Sequence, residues 1–236
     1  GGRAFVVDPV SVDEFEPLAR YSGHREIERR SLVHALNVRA TAKKAAKSIG
    51  RPLDAMNLVV AHLGSGISIV PLRKGLMVDV SNALSGGPFS PERTGSLPLI
   101  EMLDFMADKE IPPARMKRIV AKEGGLISYL GTNDFEEVTD RAEQGDAAHR
   151  EVVEAMAYQI GKEIAAMAAV LSGKVERVVV TGALAHSELL IELLRPRVAF
   201  VADLLVLPGE NELESLAFGA LEVLRGESRA RTYPTG

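Results

Sequence analysis

His62-Leu63-Gly64-Ser65-Gly66 sits between two largely apolar runs rich in β-branched residues, 58–61 and 67–70. Such runs joined by a short glycine turn predict a β-hairpin. Its tip carries no bulky side chain, so the backbone N–H groups at Gly64, Ser65 and Gly66 can cradle an anion, phosphate above all. A plain turn whose glycines supply only positive φ explains the same residues. Three further features share the anion theme. Asp8 precedes Pro9 at the end of the apolar run 4–7, which predicts a strand with Asp8 at its carboxyl end. Side chains that do chemistry collect at such strand ends in open α/β sheets, although an Asp-Pro pair also starts ordinary turns. Arg93 lies in a loop, 85–95, rich in glycine and proline and without helical period. Its guanidinium fork matches phosphoryl and carboxylate oxygens, while most loop arginines are merely solvated. Finally, the strand-like segment 175–182 ends in Gly182-Ala183 before a helical segment, a second strand–glycine–helix junction.

The composition narrows the chemistry. At 236 residues the chain suits one large domain, or one domain and part of another. A net charge of −4 and 5% aromatic residues without tryptophan argue against a nucleic-acid partner. With no cysteine there is no disulfide and no thiolate metal site, which fits a cytoplasmic setting. The longest apolar stretch, 164–171, is too short to span a membrane, and no signal peptide is visible. The chain opens Gly1-Gly2-Arg3 without an initiator methionine, which suggests a piece of something longer.

The elements that must position these residues follow from pattern. Ser11-Val12-Asp13-Glu14 predicts a capped short helix, and Ser31 a longer one over 32–48 closed by Gly50 and Pro52. A domain boundary is expected at 54/55, leaving 1–54 as the remnant of an N-terminal domain and 55–236 as a C-terminal one. After the hairpin, Lys74-Gly75 turns into a third strand, 76–80. Helices are predicted over 97–107, 112–120, 135–142 and 146–171, with Gly131, Asn133 and Asp134 leading into the third. A strand at 175–182, a helix at 185–194, a strand at 198–206 and a helix at 212–224 complete the order, followed by a frayed tail from 227. Three meander strands and then strand–helix alternation give an α/β fold with a mixed sheet flanked by helices, βββαβαβα with a helical insertion. Gly-x-x-x-x-Gly-Lys-Ser/Thr is absent, and Ile69 occupies the third glycine position of G-x-G-x-x-G, so P-loop and Rossmann classes are disfavoured.

That order, with its Gly-Ser-Gly hairpin, is the pattern of the ribonuclease H-like, actin-like ATPase domain. In detail, Arg30-Ser31-Leu32-Val33-His34, His62-Leu63-Gly64-Ser65-Gly66, Pro88-Phe89-Ser90-Pro91-Glu92-Arg93-Thr94-Gly95, Thr181-Gly182-Ala183 and Pro208-Gly209-Glu210-Asn211-Glu212 resemble the acetate kinase family, and within it the butyrate kinases. The resemblance runs from about residue 5 to 224. It implies transfer of the γ-phosphoryl of ATP, with Mg2+, to a short-chain carboxylate, giving ADP and an acyl phosphate. It also implies a homo-oligomer, a dimer or larger. By this resemblance Asp8 organises the reacting groups and metal, His34 stabilises the transferring phosphoryl, and Arg93 grips the transition state. His62, Gly64, Ser65 and Gly66 form the phosphate loop, Gly182 and Ala183 admit the adenosine, Gly131 and Asn133 line the nucleotide cleft, and Glu212, or its neighbour Glu210, serves magnesium. Complete family members begin with a further phosphate loop not found here, so the chain alone is expected to bind nucleotide without catalysing transfer. Acetate or propionate as the acid, and a non-catalytic nucleotide-binding or assembly module, are the alternatives.

Overall fold

The two runs around Gly64-Ser65-Gly66 form β1 (Asn57–Leu63) and β2 (Ile67–Arg73), antiparallel and closed by the pair Leu63↔Ile67. The computed structural model, which describes residues 4–84, 86–209, 212–226 and 229–230, adds β3 (Leu76–Met77) beyond β2. On the other side β4 (Arg177–Gly182) runs parallel to β1, and β5 (Leu204–Pro208) parallel to β4. The order β3-β2-β1-β4-β5, antiparallel on one side and parallel on the other, is the ribonuclease H-like, actin-like ATPase sheet that the pattern predicts.

Side chains alternate across a strand, so each strand serves two cores. Leu58 and Val60 share a face with Val70, Leu72 and Val179, covered by α1 (Ala35–Ile49) through Val38, Ala42 and Ala45. Val59, Ala61, Ile69 and Val180 point the other way, onto α6 (Ala147–Val170) and α7 (Glu188–Val198). The intervening helices are α2 (Leu99–Asp108), α3 (Pro113–Lys122), α4 (Gly125–Leu130) and α5 (Phe135–Glu143), and α8 (Glu212–Leu224) lies against α1. No helix among the described residues is long and apolar enough to cross a membrane.

Several expectations need correction. Residues 4–7 join no strand, and Val6 is 84% exposed; Val7 instead packs on Gly219 of α8. The helix expected at 11–14 is replaced by extended chain and a 3-10 turn, Pro17–Arg20. Glu14 is drawn off by Arg39 and the Met77 amide, and the Glu16 amide donates to the Val78 carbonyl. That last bond explains why β3 stops after two residues: Pro71, opposite Val78, has no N–H to give. The expected strand over 198–206 begins only at Leu204, because Leu190, Leu194 and Val198 continue the buried stripe of α7 at helical spacing. Helix α4 has no counterpart in the predicted elements. Glu210, Ser85 and most of the tail lie outside the described residues.

Glu163 of α6 is half-buried under the loop that follows β3, its Cγ 3.9 Å from the position of a Cβ on Gly87. Burial pushes its carboxyl above the usual range, with the Arg29 guanidinium opposing, Asp79 adding and Lys162 opposing. The folded chain therefore holds this proton to higher pH than the unfolded chain does. Stability from this group is complete below the ordinary carboxylate pKa and is lost as pH rises through the raised one. Glu163→Gln should raise the melting temperature at pH 7 relative to the parent, and the gain should vanish near pH 4; calorimetry at both pH values checks this.

Candidate active site

Helix α1 begins where the sheet's carboxyl end opens. His34 is its N-cap residue, and its Nδ1 lies 2.9 Å from the Oγ of Ser68 on β2. Ser68 pairs across the hairpin with His62, whose ring is stacked at a tilt on that of His34, centroids 4.5 Å apart. The stretch 62–66 thus brings one buried histidine and one half-buried histidine together at the tip of β1 and β2.

Arg93 reaches this place from its loop. A Cβ built on Gly66 would stand 2.3 Å from its Nη1 and 2.6 Å from its Cζ. The guanidinium therefore lies against the backbone of Gly66 at the hairpin tip. Neither Gly64 nor Gly66 is among the positive-φ glycines, so the backbone does not demand glycine there. At Gly66 the demand is space. Arg93 Nη1 donates to the Ala83 carbonyl at 2.8 Å, while its buried Nε has no partner among the described residues. Burial lowers its pKa from the ordinary value against the pull of Glu92, but an arginine remains protonated at any working pH. A half-buried cation with an unused donor is suited to an oxygen anion.

Gly182 completes this end of the sheet. At φ 94° and with a Cβ position only 2.3 Å from the Leu63 carbonyl oxygen, it must be glycine on both counts. Ala183 then opens a 3-10 turn, Ala183–His186. Beside them, Thr41 of α1 donates to Thr181 of β4 at 3.3 Å, and Asn37 donates to the Glu212 carboxylate at 3.4 Å. A cleft of about 200 Å3 lies here, lined in part by Asn37, Thr41, Lys44, Thr181 and Gly209. His34, Asn37 and Thr41 fall at i, i+3 and i+7, one polar stripe on α1 that reading for apolar period alone passes over. Ser68 was missed likewise, although strand alternation places it opposite His62.

Asp8 is not brought to this site. Its carboxylate accepts from Arg39 Nε at 2.9 Å, and the same guanidinium holds Glu14 and donates to the Gly75 carbonyl. Gly75 lies beyond the far end of β2, so about 20 Å of strand separate Asp8 from Gly66. The strand that was to carry Asp8 is not formed, and Arg39 captures the carboxylate instead. Gly131 and Asn133 lie behind the Arg93 loop. Gly131 is the left-handed cap of α4, and Asn133 donates to Glu92 at 3.0 Å. Hydrogen bonds from Lys122 and then Asn133 hold Glu92 below the usual carboxylate range.

A model of the acetokinase family matches residues 19–197, well over half of the chain. The chain belongs to the acetokinase family. Its fold is shared by solved structures of low sequence identity. Acetate kinase of Porphyromonas gingivalis is 19% identical, with a TM-score of 0.80 over 89% of this chain and 61% of that one. A propionate kinase of Francisella tularensis is 20% identical, with a TM-score of 0.75 over 85% and 59%. Acetate kinase of Entamoeba histolytica is 15% identical, with a TM-score of 0.75 over 88% and 63%. This acetokinase chain thus spans about three-fifths of the length of those proteins.

The residues present offer a nucleotide phosphate one donor: Arg93 Nε has no partner among the described residues, while the space beside Gly66 and Gly182 is taken by the Arg93 guanidinium and the Leu63 carbonyl. For Mg2+ the fit is thinner. Among the described residues no cluster of three acidic or histidine side chains could hold a metal, Asp8 is elsewhere, and Glu212 is the one candidate near the cleft. Magnesium bound chiefly by phosphate and water needs no more than that. Gly66→Ala tests the close approach directly. The methyl must push the guanidinium aside, so the fold should survive with little loss of melting temperature while the Arg93 Nε–H signal shifts in a 15N NMR spectrum.

Proposed function

We propose that this acetokinase chain carries the phosphoryl-gripping and nucleotide-binding part of a carboxylate kinase, which moves the γ-phosphoryl of ATP to a short-chain acid such as butyrate. The observation that supports it most is the Arg93 guanidinium lying against Gly66, at the tip of the hairpin whose strands carry His62 and Ser68, the partners of His34. Attack of a carboxylate on ATP brings two anions together and spreads negative charge over the equatorial oxygens. Catalysis is therefore mostly cations and N–H donors placed in advance. Arg93 supplies the fixed positive charge and an unused Nε–H. His34, held by Ser68, and His62 supply ring N–H groups at the same tip. Glu212 is proposed for the nucleotide-bound magnesium and Gly182-Ala183 for close approach of the adenosine, in a cytoplasmic setting where ATP is the phosphoryl donor. Butyrate is favoured over acetate or propionate by Pro88-Phe89-Ser90-Pro91-Glu92-Arg93, which resembles the butyrate kinases.

With Asp8 about 20 Å from the tip, the site gathers cations and amides from one side of a phosphoryl group only. The chain as it stands should then bind MgADP without catalysing transfer, and residues 1–54 are proposed to belong with the wall opposite. Calorimetric titration should show MgADP binding that weakens about 10- to 100-fold in Arg93→Ala, as loss of a charged hydrogen bond predicts. A coupled assay with butyrate and ATP should stay at background. Undetectable MgADP binding would overturn the nucleotide reading.

Self-association, the second reading, draws on the α2–α3 hairpin. Helix α2 buries none of its residues and exposes Leu99, Ile100 and Leu103. An apolar groove of about 480 Å3 runs between Met102 and Met106 of α2 and Met116 and Val120 of α3. The charged side chains of α2 are acidic (Glu101, Asp104, Asp108), and those of α3 are basic (Arg115, Lys117, Arg118, Lys122). Two copies related by a two-fold axis would set each acidic helix on the other's basic one, so the proposed occupant is a second copy of this chain. Sedimentation should show a dimer that Leu103→Glu converts to monomer; a monomer in both cases would refute it.

A further inference from the structure

Ser90 is 1% exposed and stands where three parts of the site meet. Its hydroxyl donates to the Ser65 carbonyl at the hairpin tip, 2.5 Å, and accepts from the Arg93 amide at 3.2 Å. Its own amide donates to the Arg93 carbonyl at 3.0 Å. On the remaining side its carbonyl fills the place of a Cβ on Gly125, only 1.6 Å from where that atom would stand, at a residue whose φ is +57°. The loop is pinned further by Gly124 N–H to the Glu92 carbonyl and Ile127 N–H to the Pro91 carbonyl, both from the first turn of α4.

We propose that Ser90 is a positioning residue, which ties the Arg93 loop to the Gly64–Gly66 tip so that the guanidinium is held in one place for a phosphoryl group. The proposal rests on the reading above that the arginine takes phosphate oxygens. Its physical ground is that the Ser90 hydroxyl is bonded both to the tip and to the arginine's backbone. A buried hydroxyl that donates once and accepts once links the two segments. Removing it leaves the Ser65 carbonyl and the Arg93 amide without this partner, and frees the loop to move relative to the tip.

The test uses the whole chain with inorganic pyrophosphate as probe, in four forms: parent, Ser90→Ala, Ser90→Thr and Ser90→Ala with Arg93→Ala. Ser90→Ala should weaken pyrophosphate binding about tenfold and broaden the Arg93 Nε–H signal, and Ser90→Thr, which keeps the hydroxyl, should recover most of both. In the Arg93→Ala background the Ser90 change should add almost nothing, because its effect passes through the arginine. Loss of melting temperature with affinity and the Arg93 signal unchanged makes Ser90 structural only and overturns the proposal. So does full additivity of the two changes. If the parent itself binds no pyrophosphate, the phosphate reading fails; an Arg93 Nε–H signal that then stays sharp in Ser90→Ala sinks the linkage as well, without reference to any ligand.

Discussion

A guanidinium resting where a side chain would otherwise be is the contact on which the rest of this site depends. Arg93 occupies the space above Gly66, and that is possible because residue 66 has no Cβ and residue 90 ties the arginine's loop to the tip. The consequence is electrostatic: the positive charge is held in place and partly desolvated, and burial lowers its pKa against the pull of Glu92. The two histidines meet beside the same hairpin because α1 starts at His34, and Ser68 holds the ring there.

The sheet makes this arrangement durable. His62 and Ser68 are register partners in the most buried hairpin of the molecule, with apolar cores on both faces. A one-residue slip of either strand would carry its member of the pair to the opposite face. The polar stripe His34-Asn37-Thr41 works from the other side, since α1 presents it to the carboxyl ends of β1 and β4 and the amino end of β2 while its alanines and Val38 enter the core. Position in the sheet and position in the helix thus specify the same cluster independently.

Much of this was legible in the residues. The hairpin, its third strand, the parallel pair β4 and β5, and the long helix α6 follow from apolar period and glycine punctuation, and α5 and α6 begin at the caps Asp134 and Asp146 that their side-chain types announce. His34, His62, Gly66 and Arg93 could be picked by type, but not their convergence, which needs a loop to fold back over a strand tip. Asp8 shows the limit plainly. Its local signal, an apolar run ended by Asp-Pro, is genuine, yet a strand exists only if a neighbour pairs with it, and Arg39 on a distant helix offered the carboxylate a better partner. Helix α4 escaped because its first turn is set by bonds from the Arg93 loop and not by period: Gly124-Gly125 reads as a turn until Ser90 and Glu92 are placed beside it.

One detail of the sheet reaches beyond the site. Where Pro71 leaves the Val78 carbonyl without its ladder donor, the Glu16 amide takes it, and the Met77 amide is given to Glu14. The outer margin of the β3 side is thereby used up by the protein's own chain, and a foreign strand finds few groups there on which to template. That side of the sheet therefore resists fibril-like stacking, which leaves the β5 edge and the helix faces for any assembly.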